Sequence, residues 1–224
     1  MGSRAGAGNV ARIALALAVL PSPATFAAPL THDELVAACA KAEGPAHCGR
    51  NVEEIQLKRL PNLATREGNT LTVSLYPTGT ATFTDTEALN GGRSYALWDF
   101  VSEINAVVLF ANDGANSSFV VLQRTNGRRV DLPSEPKVSP DRSRLVTADF
   151  CASNCVNELA VWRVTKDGVQ KELTWKPAQR WDDAGVSWKN ADTLVVEYTP
   201  AGAAPPATLE RRLTDAGWRR ADDP

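Results

Sequence analysis

The chain has 224 residues, with 24 basic against 26 acidic side chains, a net charge of −2, and 43% hydrophobic residues. That length buries a real core. So mild an acidity leaves no basic excess to neutralise phosphates, which argues against nucleic acid as a partner. No stretch beyond the N-terminus is apolar enough to span a bilayer, so no integral membrane segment is expected in the mature chain.

The first residues read as a targeting segment. Arg4 and Arg12 give a positive region without acidic residues, Ile13 to Leu20 is a short apolar core, and Pro21 and Pro23 break it. Thr25-Phe-Ala27 then offers the small residues of a signal-peptidase site, so residues 1–27 are expected to be removed and the protein secreted or periplasmic. Cleavage after Ala27 leaves 197 residues carrying 22 basic against 26 acidic side chains, a net of −4.

Residues 28–54 read as a short helix followed by a tethered connector. Thr31 and Glu34 form a capping box, and Gly44-Pro45 stops the segment, which predicts a helix over Asp33 to Ala42 and coil over 46–54. Cys39, Cys48, Cys151 and Cys155 are an even set in an exported chain, so disulfides are expected. The local pairs Cys39–Cys48 and Cys151–Cys155 are favoured, because each closes without tertiary help. Zinc held by these cysteines with His32 or His47 is the alternative, and the cysteine spacings do not suit it.

Residues 55–224 read as a β-repeat domain. Ile55 to Leu60 alternates loosely; Thr70 to Tyr76 alternates cleanly, and Thr80 to Thr84 returns after Pro77-Thr-Gly79. Residues 87–94 form a loop. Tyr95 to Phe100 and Ile104 to Phe110 follow, the second a continuous apolar run expected of a strand buried on both faces. Asn126-Gly127 after Phe119 to Leu122 is the strongest signal for a two-residue hairpin. Strands at Leu145 to Ala148, Glu158 to Val164, Val169 to Leu173, Ala184 to Trp188 and Thr193 to Tyr198 complete the pattern, with a last hairpin reaching Trp218.

A hidden period runs through these strands. Strand-then-glycine phrases end at Gly79, Gly127, Gly168 and Gly217, with spacings of 48, 41 and 49 residues. Leu145 and Leu194 are also 49 apart, which indicates duplication of one structural unit. Val138-Ser-Pro-Asp141, followed by Leu145-Val146 and Leu159-Ala-Val-Trp162, resembles a blade of the TolB-like and WD40-like propeller groups. The chain is also similar to small uncharacterised secreted bacterial proteins that carry the same phrase. Arg142 stands where those blades usually have glycine. The resemblance implies antiparallel four-stranded blades in a partial or small propeller-like array, and brings no catalytic residues with it. A β-sandwich is the alternative.

The chemistry is sparse. His32 and His47 are the only histidines, there is no Gly-x-Ser-x-Gly elbow, and no phosphate-cradling glycine loop or dinucleotide fingerprint occurs. No cofactor is therefore expected. Acids beside aromatic rings, Trp98-Asp99 with Glu103 and Trp181-Asp182-Asp183, are the combination a sugar-binding or sugar-cleaving cleft uses. Trp175 and Trp181 flank the polar stretch Lys176 to Arg180 and are expected to line a groove; Trp162 and Trp188 are expected in the core. The binding candidates are thus Trp98, Asp99, Trp175, Trp181, Asp182 and Asp183. The expected function is a non-enzymatic exported binding module for an envelope protein or glycan. A carbohydrate-active hydrolase, or a periplasmic inhibitor or immunity protein, is the alternative.

Overall fold

The computed structural model describes residue 2 and residues 30–86, 92–114, 116–202 and 205–221. The expected signal segment, residue 2 apart, and most of the expected 87–94 loop lie outside the described residues. Helix α1 (His32–Cys39) starts where the capping box places it: Thr31 Oγ1 accepts the Glu34 N–H at 3.3 Å, and Glu34 Oε2 accepts the Thr31 N–H at 2.9 Å.

The expected connector and the expected strand Ile55 to Leu60 are instead one helix, α2 (Pro45–Arg59). α1 ends at Cys39, short of the expected Ala42, and Gly44-Pro45 begins the next helix, since proline at the first helical turn has no N–H to waste. The residues α2 buries are Gly49, Val52, Glu53 and Gln56, an i, i+3, i+4, i+7 stripe that is half polar. Glu53 makes this burial possible. It accepts Arg50 Nη1 at 2.8 Å, the Arg66 guanidinium at 2.8 and 2.9 Å, and the Leu97 N–H at 2.8 Å. Asp85 joins the same network through Arg50, Arg66 and the Tyr95 N–H. Gln56 donates to the Trp98 carbonyl at 2.7 Å. Charge and backbone together pin the helix across two sheets. The Cys39–Cys48 disulfide then ties α1 to α2, so it joins helix to helix rather than helix to coil.

Beyond α2 the chain is almost entirely antiparallel β, in four sheets taken in chain order, none closed into a barrel. The first sheet holds β1 (Ala64–Glu67), β2 (Thr70–Ser74) and β3 (Thr80–Thr84). The second holds β4 (Ser94–Val101), β5 (Ala106–Asn112), β6 (Ser117–Gln123) and β7 (Arg129–Leu132). In the third, β8 (Lys137–Val138), β9 (Arg144–Asp149), β10 (Glu158–Thr165) and β11 (Gly168–Trp175) are joined by β15 (Arg219–Arg220). The fourth holds β12 (Trp181–Trp188), β13 (Thr193–Pro200) and β14 (Ala207–Arg212).

Three cores alternate with these four sheets. Leu71, Val73 and Phe83 of the first sheet meet Leu97, Val107 and Leu109 of the second. The other face of the second sheet, with Val108, Phe110 and Phe119, meets Leu145, Ala160 and Trp162 of the third. The far face of the third, with Val146, Leu159 and Val161, meets Trp181, Leu194 and Val196. Neighbours such as Val107 and Val108 therefore feed different cores, and every residue of β5 is buried, as its unbroken apolar run requires. The outer faces of the first and fourth sheets are polar, with Thr65, Thr82, Glu197, Glu210 and Arg212 exposed at the ends of the stack.

Three of the four period-marking glycines hold equivalent places, after the third strand of their sheets, whereas Gly79 follows the second strand of the first. Gly79, Gly127, Gly168 and Gly217 follow the strands β2, β6, β10 and β14, and all four have positive φ, between 71° and 131°. Leu145 and Leu194 sit in the second strand of their sheets and each faces the preceding sheet. The final strand departs from the period: β15 follows the fourth glycine but pairs with β11 of the third sheet, Leu173 opposite Arg220. The hairpin at Asn126-Gly127 also differs from expectation. Only Gly127 has positive φ, and the Gln123 N–H donates to the Arg128 carbonyl, so the loop spans four residues rather than two. Asn126 Nδ2 reaches the Lys166 carbonyl at 3.3 Å, which fastens this tip to that of the next sheet.

Candidate functional site

A cleft of about 590 Å³ opens between the second and third sheets, with α1 on its rim. Its walls bring together Trp98, Asp99 and Glu103, three residues the sequence singles out, with His32, Glu135, Lys137 and Arg142.

A β-bulge builds the cleft's principal wall. On β4, Tyr95 and Leu97 face the first core while Ala96 and Trp98 face the second. Register then slips, Leu97 lying opposite Leu109 and Asp99 opposite Val108. After the slip, Phe100 faces the first core and Val101 the second, so the phase has moved by one residue. Trp98 is the extra position, left without a partner on this edge strand, and Asp99 next to it opens into the cleft. Re-aiming one side chain in this way is what bulges do.

Trp98 is anchored beside it. Its ring lies 5.6 Å from Phe110 and 5.5 Å from Phe119, the latter edge-on, and its Nε1 donates to Glu135 Oε1 at 3.2 Å. Glu135 also holds Lys137 Nζ at 2.9 Å, which neutralises that side of the cleft. Asp99 makes no ion pair among the described residues. Its Oδ1 accepts the Phe100 N–H at 2.8 Å. Burial, and then the nearby Glu135 and Glu103 carboxylates, hold the Asp99 carboxyl above its ordinary range, against the Phe100 N–H and Lys137. Glu103 accepts the Ser102 hydroxyl at 3.1 Å and likewise makes no ion pair among the described residues.

The opposite wall is the Ser139-Pro140-Asp141 turn. The Ser139 and Ser143 hydroxyls donate to Asp141 at 2.6 and 2.7 Å, and with the Ser143 N–H they hold its carboxyl down to about 2. Arg142 takes the left-handed conformation, φ 63°, so the turn keeps the backbone of the glycine it lacks.

The other candidates are elsewhere. Trp181 is a core residue, 5% exposed and stacked on Tyr198 with centroids 3.9 Å apart, which corrects the expectation that it lines a groove. Trp175 is half-buried at the edge of the same cluster, covered by the Arg211 guanidinium at 4.4 Å from its centroid. The stretch from Lys176 to Arg180 does border a hollow of about 330 Å³, with Val156 and Asn157, but neither tryptophan lines it. Asp182 and Asp183 sit on a second bulge, at Trp181/Asp183 of β12. There the slip is sealed: Asp183 bridges Cys151, Asn157 Oδ1 accepts the Trp181 N–H at 2.9 Å, and Cys151–Cys155 closes the loop above. Both disulfides join the favoured pairs and leave no free thiol. Trp162 is buried as expected, its Nε1 bonded to Thr147, while Trp188 is only half-buried and donates to the Lys137 carbonyl.

Glu135 and Lys137 escape the sequence reading because they lie where the chain passes between two sheets, Glu135 in the link and Lys137 opening the two-residue strand β8. The alternation of charges around Pro136, just before the Val138 to Asp141 turn, is the one signal that marks them. Among the described residues, no helix is long and apolar enough to cross a membrane. No model of a known protein family matches the chain, and no curated protein matches it.

Proposed function

We propose that the protein is an exported binding module, built as an open propeller-like array, whose ligand docks in the cleft between the second and third sheets. The observation that carries this reading is the Trp98-Asp99 bulge, which turns a carboxylate that makes no ion pair among the described residues into an open cleft beside an anchored aromatic ring. A raised carboxyl in a fold held together elsewhere by satisfied ion networks marks a working position. Serial sheets with repeating positive-φ glycines support the propeller-like reading, and the two disulfides support export into an oxidising compartment. An inhibitor or immunity protein would use the same cleft for a partner enzyme.

The test is affinity capture from envelope extract with the wild-type chain and an Asp99→Asn, Glu103→Gln variant in parallel. A stoichiometric partner retained by the first and lost by the second supports the reading; equal capture, or none, removes it.

The raised Asp99 carboxyl also favours a second reading, a carbohydrate-active hydrolase with Asp99 as proton donor and Glu103 or Glu135 as its charged partner. Release of reducing ends from envelope glycans by the wild type, and its loss in Asp99→Asn, would establish it.

A further inference from the structure

We infer that the cleft takes a cationic side chain, a lysine or arginine presented by a partner protein, between Asp99 and Glu103. The inference rests on the binding-module reading above and adds the chemistry of what is bound. Three carboxylates line the cleft, and among the described residues Glu135 alone has an ion-pair partner, Lys137 at 2.9 Å. Asp99 accepts one backbone N–H and the exposed Glu103 one hydroxyl, and neither has an ion-pair partner among the described residues, so each keeps acceptor capacity for a ligand. A neutral sugar brings hydroxyls but no charge to this wall; an ammonium or guanidinium brings both donors and charge. Trp98 adds an aromatic surface beside the carboxylates, against which the methylene stem of such a side chain packs. Arg142 on the far rim has no ion-pair partner among the described residues and suits an acidic residue flanking the bound cation.

The experiment follows the Trp98 indole N–H signal of the ¹⁵N-labelled protein, assigned with Trp98→Phe, during titration with three N-acetylated tripeptide amides. Gly-Lys-Gly and Gly-Arg-Gly are expected to shift the signal saturably, and Gly-Gln-Gly to leave it in place. Asp99→Asn, with its spectrum otherwise intact, is expected to weaken the basic peptides about tenfold or more, and Glu103→Gln to weaken them less. Equal shifts from the glutamine peptide, an unaltered titration in Asp99→Asn, or no shift from any peptide would overturn the inference. A neutral chitin disaccharide included in the series separates the two failures: a shift from the sugar alone defeats the cation while leaving the cleft a binding site.

Discussion

Asp99 is the residue on which the molecule gives up stability for an open charge. Its folded carboxyl lies above the ordinary value, so the folded state holds its proton to higher pH than the unfolded chain does. Stability is therefore lost as pH rises from the ordinary aspartate range through the raised value, and at neutral pH the charge opposes folding. Asp99→Asn keeps the oxygen that accepts the Phe100 N–H and removes the charge. It should raise the melting temperature at pH 7, with the gain vanishing below about pH 3, where both states are protonated. Thermal melts at the two pH values check this. Arg142 is strained for a simpler reason, since φ of 63° crowds its Cβ. Arg142→Gly should stabilise by about 0.5–1 kcal/mol in urea unfolding, less than the full left-handed penalty because glycine is freer when unfolded.

Helix α2 shows what a side-chain pattern hides. A Cβ on Gly49 would stand 2.7 Å from Phe110 Cδ1 and 3.3 Å from Ala96 Cβ, so the helix lies against the second sheet only because the residue is glycine. Gly49→Ala should cost about 1–3 kcal/mol despite the better helix propensity of alanine, measured by urea unfolding. The same helix went unread in the sequence because its buried face is Gly49, Val52, Glu53 and Gln56. Two of those are polar and acceptable only with Arg66 and the Leu97 and Trp98 backbones as partners, which come from other elements. Strands were legible for the opposite reason. Val73 and Phe83 alternate with threonines and serine, and β5 is apolar from Ala106 to Ala111, so local pattern and burial agree. The site was half legible: Trp98-Asp99 stood out as a dipeptide, but the bulge that aims Asp99 depends on pairing with β5. Trp181 looked equivalent, and only the contacts of Phe150, Tyr198 and the Cys151–Cys155 loop make it core.

At the scale of the whole molecule, stability is shared through sheets that each feed two cores. The second sheet contributes both faces and carries α2 as well, whereas the first and fourth sheets end the stack with polar outer faces. Amide hydrogen exchange should therefore be slowest in β5 and faster in β1, β3 and β14. Slowest exchange in the fourth sheet would contradict that ordering. The cleft lies beside the most stable layer, its bulge on the edge strand of the second sheet and its other wall on the third. A rigid floor with one open, charged edge is suited to holding a partner in fixed register.

The most direct test of this working surface is site-specific photo-crosslinking in envelope extract. One position is Ser102 in the cleft and the other Thr82 on the exposed outer face of the first sheet. The account predicts a discrete crosslinked product from position 102 that is lost in the Asp99→Asn background, and none from position 82. A product from position 82 with none from position 102 would place the interaction on the end of the stack and contradict it.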